Sequence, residues 1–462
     1  MIIKIIYPPG ALAYIVRLLF MCGEGNCIMK KTLSFMVVLA VAFIFTPQVM
    51  AREYKLNEIY QQALKSSEKI EMAREDIYIA QMGKNKAWSL LIPRLTAYGT
   101  YNWFTEDKYS VSGILLQPDK SATWGVRADQ SFSLSARELD ALKIAGQSIT
   151  KSEYDLDTAK ADFVLAVASY YYDVLKAQKA LEIANANLER LTQYHRFVET
   201  RVKVGELTKT ALLRAEGELS GAKADYLRAA NALQLTRATL ARVAGVEKDF
   251  SLKDEKISSS EVCELDKLWQ LALERTDLKS HDIQKKMAEQ QVKYARGAFW
   301  PSMGLFAIYN RADQDPIDPI YSTLVKESVL GGVSLSLPFF EGGLRIAEFK
   351  EAKAKARQAR LAYDDFKKSV DIELRAACLD LDTLKGSLKF FEDQQVFAKD
   401  NYNAVLKQFE NGLSTSLDVM DANTLLLTSD KNVVEALYNY QLASLNVKRS
   451  SGTLLQFVNA GK

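Results

Sequence analysis

Two spacings of apolar residues run along this chain, and each occurs twice. The first is a helix seam: Leu181, Ala184, Leu188, Leu191, His195, Val198 and Val202 advance by three and four in alternation. Leu388, Phe391, Gln395, Ala398, Tyr402, Val405 and Phe409 hold the same frame 207 residues later. A heptad pattern of this kind predicts coiled-coil helices, placed at about Ala136 to Val202 and Leu344 to Phe409, with neither Pro nor a Gly cluster past Gly343. At 1.5 Å per residue, about 66 residues reach roughly 100 Å, far beyond a globular domain. Each stretch meets a glycine, Gly205 or Gly412, and turns into a returning helix at about Thr208 to Val243 or Thr415 to Ser450. The expected result is two antiparallel helical hairpins of rod length.

The second spacing is the period of two that marks a strand. Trp124, Val126 and Ala128 alternate with Gly125, Arg127 and Asp129, and Val333, Leu335 and Leu337 alternate with Ser334 and Ser336. With Leu95 to Trp103 and Met303 to Tyr309, four strands are predicted, at about 95–103, 122–134, 303–311 and 328–338. Their connections, Phe104 to Ser121 and Arg311 to Lys326, read as polar loops. One face carries Leu95, Ala97, Tyr101, Trp103, Met303, Leu305, Ala307 and Tyr309, and the other mixes Thr96, Thr100, Asn102, Arg127 and Asp129. Apolar-out and polar-in at this length suits a transmembrane β-barrel, with Arg127 and Asp129 on the lumenal side. Four strands cannot close around water, and open edges are not tolerated in lipid, so several chains must share one barrel. Two soluble hairpins are the competing reading, because sandwiches present similar faces.

Helical stretches at Leu56 to Leu90 and Leu265 to Gly297 precede the strands and stop ahead of Pro93 and Pro301. The order helix, strand, strand, helix, helix therefore occurs twice. Individual residues agree: Leu91-Ile92-Pro93-Arg94-Leu95 returns 208 residues on as Phe299-Trp300-Pro301-Ser302-Met303, and Gly125, Gly205, Ala215 and Gly245 match Gly332, Gly412, Ala422 and Gly452. The repeats are expected at 52–250 and 251–462.

Composition adds an address. Of the 462 residues, 60 are basic and 57 acidic, which would hint at an anionic partner. Residues 1–51 hold four of the basic and one of the acidic side chains, so the remainder has 56 of each and no excess to attract nucleic acid. From Met29 the chain runs Met-Lys-Lys, an apolar stretch Leu33 to Phe45, then Val49-Met50-Ala51. This is the layout of a secretory signal at 29–51, too short to span a bilayer, and residues 1–28 read as an upstream-start artefact or extension. Cys22 and Cys27 leave with it. Pairing of Cys263 with Cys378 in an oxidising compartment stays open, but two cysteines make no disulfide framework, and separate buried thiols are the favoured expectation. With only His195 and His281, and no metal-ligand spacing, neither a metal nor a cofactor is expected. His195 sits on the seam where its counterpart is Tyr402, and so reads as a packed side chain. Gly342-Gly343 lacks the further residues of a phosphate cradle. No nucleophile, base and orienter stand together in a motif, so an enzyme is not expected.

Taken together, the signal, the duplicated unit and the rod-length hairpins resemble the TolC-type outer-membrane efflux protein family. Two stretches carry the resemblance most closely. Val333 to Gly343, reading Val-Ser-Leu-Ser-Leu-Pro-Phe-Phe-Glu-Gly-Gly, is similar to the family's strand-to-helix entry. Gly412 to Ala422, followed by Tyr438-Asn439-Tyr440 and Arg449-Ser450-Ser451-Gly452, is similar to its second hairpin turn. The resemblance covers residues 52–452. It implies a mostly α fold with a transmembrane β part: a trimeric α-barrel of coiled-coil hairpins in the periplasm, plus a shared β-barrel with four strands per chain in the outer membrane. It implies as partners the other two protomers, a periplasmic adaptor, an inner-membrane pump of the RND or ABC class, and outer-membrane lipid.

The resemblance also places two acids, Asp418 and Asp421, at the narrow periplasmic entrance. Spaced i, i+3 they share a helix face, and threefold symmetry would make two acidic rings that favour cations. Equally, an acid three residues after Thr415 stabilises a helix N-terminus. The first repeat departs, with Ala211 and Arg214 at the matching positions, so that Arg214 partly neutralises the rings, and Ser414 stands where some members carry a basic latch residue. The exposed rod ends, Val204, Gly205 and Leu207 with Gly412, Leu413 and Ser414, are the expected adaptor-docking tips. A soluble periplasmic coiled-coil scaffold is the alternative function.

Overall fold

The computed structural model describes residues 52–247, 249–254, 263–315 and 326–460. The expected signal at 29–51, the segment 1–28 and most of the second strand connection lie outside the described residues.

Strand β1 (Arg52–Tyr54) leads into α1 (Leu56–Ser66) and α2 (Glu68–Ser89). Strand β2 (Arg94–Trp103), the short pair β3 (Lys108–Tyr109) and β4 (Leu115–Gln117), and β5 (Lys120–Ser133) follow. Helices α3 (Arg137–Lys203) and α4 (Lys209–Ala244) form the first hairpin. After β6 (Phe250–Leu252) the order recurs as α5 (Leu265–Ala272), α6 (Thr276–Gly297), β7 (Ser302–Asp315), β8 (Glu327–Ser336), α7 (Leu344–Glu410) and α8 (Ser416–Ser450), closed by α9 (Leu454–Ala460). The long helices have 67 residues in both halves.

Each helix predicted ahead of the strands is in fact two. Ser67 is extended, at φ −81° and ψ 119°, because the Ser66 hydroxyl donates to the Ala244 carbonyl at the end of α4 and holds the chain there. In the second half the break falls at 273–275, where Arg275 is drawn into a buried polar cluster. The first strand connection, expected as loop, contains the β3–β4 hairpin.

Helix entry follows the repeat with one substitution. Gly343 precedes α7 at φ 86°, in the left-handed region that glycine enters at no steric cost, while Ala136 precedes α3 at φ 57° with a side chain in place. The Ser135 hydroxyl donates to the Gly297 carbonyl, fixing the turn against the end of α6.

One apolar core gathers Ile59, Tyr60, Tyr171, Tyr172, Leu240, Phe250, Tyr438 and Leu445, where α1, α3, α4, β6 and α8 meet. Near the rod ends a second core joins Leu191 and Val198 of α3 to Ala398, Tyr402 and Phe409 of α7, all on the predicted seams, with Tyr194 of α3 and Val419 and Leu426 of α8 beside them. His195 is a packed side chain 4.0 Å from the Glu216 carboxylate, and His281 stacks on Phe366. Cys263 and Cys378 are not separate: they form a disulfide across 115 residues, in a small core with Ala377, Leu381 and Val447. The expectation failed because the pairing depends on α5 lying on α7, a tertiary contact that the spacing of the two cysteines does not report.

Candidate functional site: the strand sheet and the hairpin ends

The four main strands form one antiparallel sheet in the order β2-β5-β7-β8, which leaves β2 and β8 as edges. The register sets Leu95, Ala97 and Tyr101 beside Ala128, Val126 and Ala122, and sets Tyr309, Leu305 and Met303 beside Val329, Val333 and Leu335. This face stands exposed: Trp103 is 78%, Leu95 73% and Val329 80% accessible. A water-facing sheet does not leave so continuous an apolar surface open. A soluble scaffold offers no use for it. Strands of 10 and 14 residues, at about 3.3 Å per residue and tilted near 45°, suit the roughly 25 Å apolar band of a membrane barrel.

The opposite face holds Arg127 and Asp129, paired at 2.7 Å along one strand and both half-exposed. Sequence reasoning placed them together on this face but missed the aromatic residues beside them. Tyr98 lies across Gly125, where a Cβ would come within 2.8 Å of its hydroxyl, and donates to Asn310 at 3.3 Å. Phe306 lies across Gly332 in the same way, and Arg127 sits 6.0 Å above its ring. Tyr98 and Phe306 are themselves 208 residues apart, as the glycines nearly are, so the repeat carried the signal.

At the rod ends, Gly205 and Gly412 take φ of 81° and 75°, which closes each hairpin in a tight turn. A Cβ on either would meet nothing within 4 Å, so what these turns require is backbone conformation rather than space. Val204 and Leu413 project outward at 66% and 78% exposure, while Leu207 is half-buried against the lower core. Ser414 donates to the Val405 carbonyl at 3.1 Å and so serves its own turn.

Asp418 closes a capping box. Its carboxylate accepts from the Thr415 amide at 2.7 Å and from the Thr415 hydroxyl at 2.7 Å, and its own amide donates back to that hydroxyl. The Thr415 hydroxyl and then its amide hold the Asp418 carboxyl below its ordinary range, so it stays charged. Asp421 is exposed one turn on, on the face opposite Val419, Met420 and Ala422. Arg214 is exposed on α4, near enough for its charge to act on the Tyr194 phenol. Sequence reasoning missed how the two tips are tied: Tyr194 donates to the Ser416 hydroxyl at 2.7 Å, Arg201 donates to the Glu410 carbonyl at 2.7 Å, and Phe197 and Tyr194 pack on Phe409.

A sheet with a lipid-compatible face and two open edges, joined to helical hairpins roughly 100 Å long, defines the class of outer-membrane channels that reach into the periplasm. Among the described residues no helix is long and apolar enough to cross a membrane. The chain belongs to the outer membrane efflux protein family, whose model matches residues 59–246 and again 268–453. It is 25% identical to the outer membrane protein TolC of Vibrio cholerae serotype O1, over 94% of this chain and 99% of that protein. It is 22% identical to the outer membrane efflux protein BepC of Brucella suis biovar 1, over 90% of each. Its fold is similar to that of the outer membrane protein VceC of Vibrio cholerae, with a TM-score of 0.74 and 20% identity over 86% of this chain and 96% of that one. The protein is thus an outer-membrane efflux channel of the Gram-negative type, extending into the periplasm.

Proposed function

We propose that three copies of this chain close one β-barrel and one helical barrel, making a passive duct for cargo delivered by an inner-membrane pump through a periplasmic adaptor. The observation that carries this reading is the sheet: its apolar face is bare and its β2 and β8 edges are unpaired within the chain. Joining β8 of one protomer to β2 of the next satisfies both edges and gives twelve strands from three sheets of four. The adaptor docks at the tips built by Val204, Gly205, Leu207, Gly412, Leu413 and Ser414. Asp418 and Asp421 form the acidic entrance, and Arg214 moderates it. In this role Asp418 keeps its cap: the carboxylate that holds the helix start is also an exposed group whose pKa is held below the ordinary value.

The test is conductance of the purified protein in a planar bilayer. A stable pore with cation preference is expected, and Asp418→Asn with Asp421→Asn should lower that preference, since like charges at a pore mouth attract cations. Folded protein that never conducts overturns the duct, and an unchanged preference overturns the entrance assignment.

A further inference from the structure

The Cys263–Cys378 bond lies at a particular level of the rod. Cys378 is buried on α7, 34 residues after its first residue and 32 before its last, so it marks the midpoint. Five residues earlier Glu373 accepts from the Arg275 guanidinium at 3.1 Å and from the Ser450 hydroxyl at 3.0 Å. Arg275 is only 3% exposed; it also donates to Asp277 at 2.6 Å and to the Ser450 carbonyl at 3.0 Å. Arg449 extends the cluster to Asp277 and to Asp162 of α3. One covalent tie and one ionic cluster therefore bind α3, α5, α6, α7 and α8 at a single height.

Above and below this height α7 differs. Helix α6 packs along the upper half of α7, and Phe366, Val370 and Leu374 meet Leu268, Trp269 and Ala272. Below it, α7 is held by α8 and the tip core, while exposed apolar residues lie on both halves, Leu361 and Ile372 above and Phe390 and Phe397 below. The tip lies about 48 Å below Cys378. Helix α5 has eight residues, too few to be stable alone; Leu268, Trp269 and Ala272 pack on α7 while Leu271 stays 47% exposed, and the disulfide adds a covalent tie. Cys263 is part-exposed, packed at the edge of the small core around Cys378.

We propose that this bond is a redox-dependent clamp, which fixes α5 to the midpoint of α7 and confines opening movement to the lower half of the rod. Closing it follows thiol–disulfide exchange with a periplasmic oxidant that carries a disulfide. One cysteine thiolate attacks the oxidant's disulfide to give a mixed disulfide, the other displaces the oxidant's sulfur, and two electrons and two protons leave with the reduced oxidant. Reduction by a dithiol or phosphine reverses the outcome and releases α5.

The clamp rests on the duct reading for its effect on opening, and the test separates the two. Full-length protein in detergent and in bilayers is compared oxidised, after phosphine reduction confirmed by thiol alkylation, and as Cys263→Ser. Reduction should raise amide exchange in 265–272 at least tenfold, leave the β-sheet unchanged, and at least triple the time spent in the most open conductance level. Cys263→Ser should show both changes without reductant and no response to it. Complete reduction with unchanged exchange, or a response that persists in Cys263→Ser, overturns the clamp. An oxidised protein that never conducts overturns the duct, while the exchange measurement still decides the clamp.

Discussion

Replacing Arg275 with methionine isolates the energetic weight of the mid-rod cluster. The substitution removes a guanidinium that is 3% exposed and four donated bonds: two to Asp277, at 3.0 and 2.6 Å, one to Glu373 and one to the Ser450 carbonyl. Asp277 is left 13% exposed, with the Leu278 amide at 2.8 Å and Arg449 at 3.4 Å. Stranding a buried charge in this way costs about 3–5 kcal/mol. Glu373 is 44% exposed and adds under about 1 kcal/mol. The expected loss is about 4 kcal/mol. Arg275→Met with Asp277→Leu removes the stranded charge as well and should return to within about 1.5 kcal/mol of the parent. Arg375→Met, which breaks the exposed pair with Asp371, should leave the denaturation midpoint nearly unchanged. Denaturant midpoints multiplied by their slopes supply the energies, with fluorescence of Trp269, packed beside this cluster, as the probe. A loss below about 1 kcal/mol for Arg275→Met, or a double variant no better than the single, would refute the reasoning.

Three further outcomes follow from particular residues. Ala136→Gly should stabilise the protein by about 1 kcal/mol in the same assay, because the native φ of 57° is left-handed and costs a side chain about that much. Acid should weaken the mid-rod cluster. Burial alone would raise the Asp277 carboxyl, but the hydrogen bond and charge of Arg275, with Arg449, hold it below its ordinary value. Its contribution is then present above the unfolded carboxylate range near 4 and lost as pH falls through the lower folded value, and a pH series on the parent against Asp277→Asn reads the difference. Gly125→Val should stop assembly in the membrane without unfolding the rods, since a Cβ there falls 2.2 Å from the Tyr309 carbonyl oxygen; heat-modifiable migration beside helical circular dichroism would show it.

What the sequence disclosed and what it hid divide along physical lines. The seam at Leu191, Val198, Ala398 and Phe409 and the alternation at Val126 and Val333 are local periods that burial must respect, so helices and strands were legible, as was the repeat. The Thr415–Asp418 cap was legible too, because both partners lie in one turn. The break at Ser67 was not, since it is set by the Ala244 carbonyl 178 residues away from Ser66. Nothing in the local pattern singles out Arg275; the meeting of α3, α6, α7 and α8 buries it. The same holds for Cys263 and Cys378, whose spacing of 115 residues says nothing of α5 lying on α7.

The barrel shared between chains can be tested at its seam. A cysteine at Thr100 on the β2 edge is combined with single cysteines scanned from Ser328 to Ser334 on the β8 edge, and membranes are oxidised before denaturing electrophoresis. The account predicts a ladder that ends at three linked chains, with one or two β8 positions reacting and their neighbours silent, as fixed strand register requires. Monomers at every position, or ladders that continue past three, would contradict it.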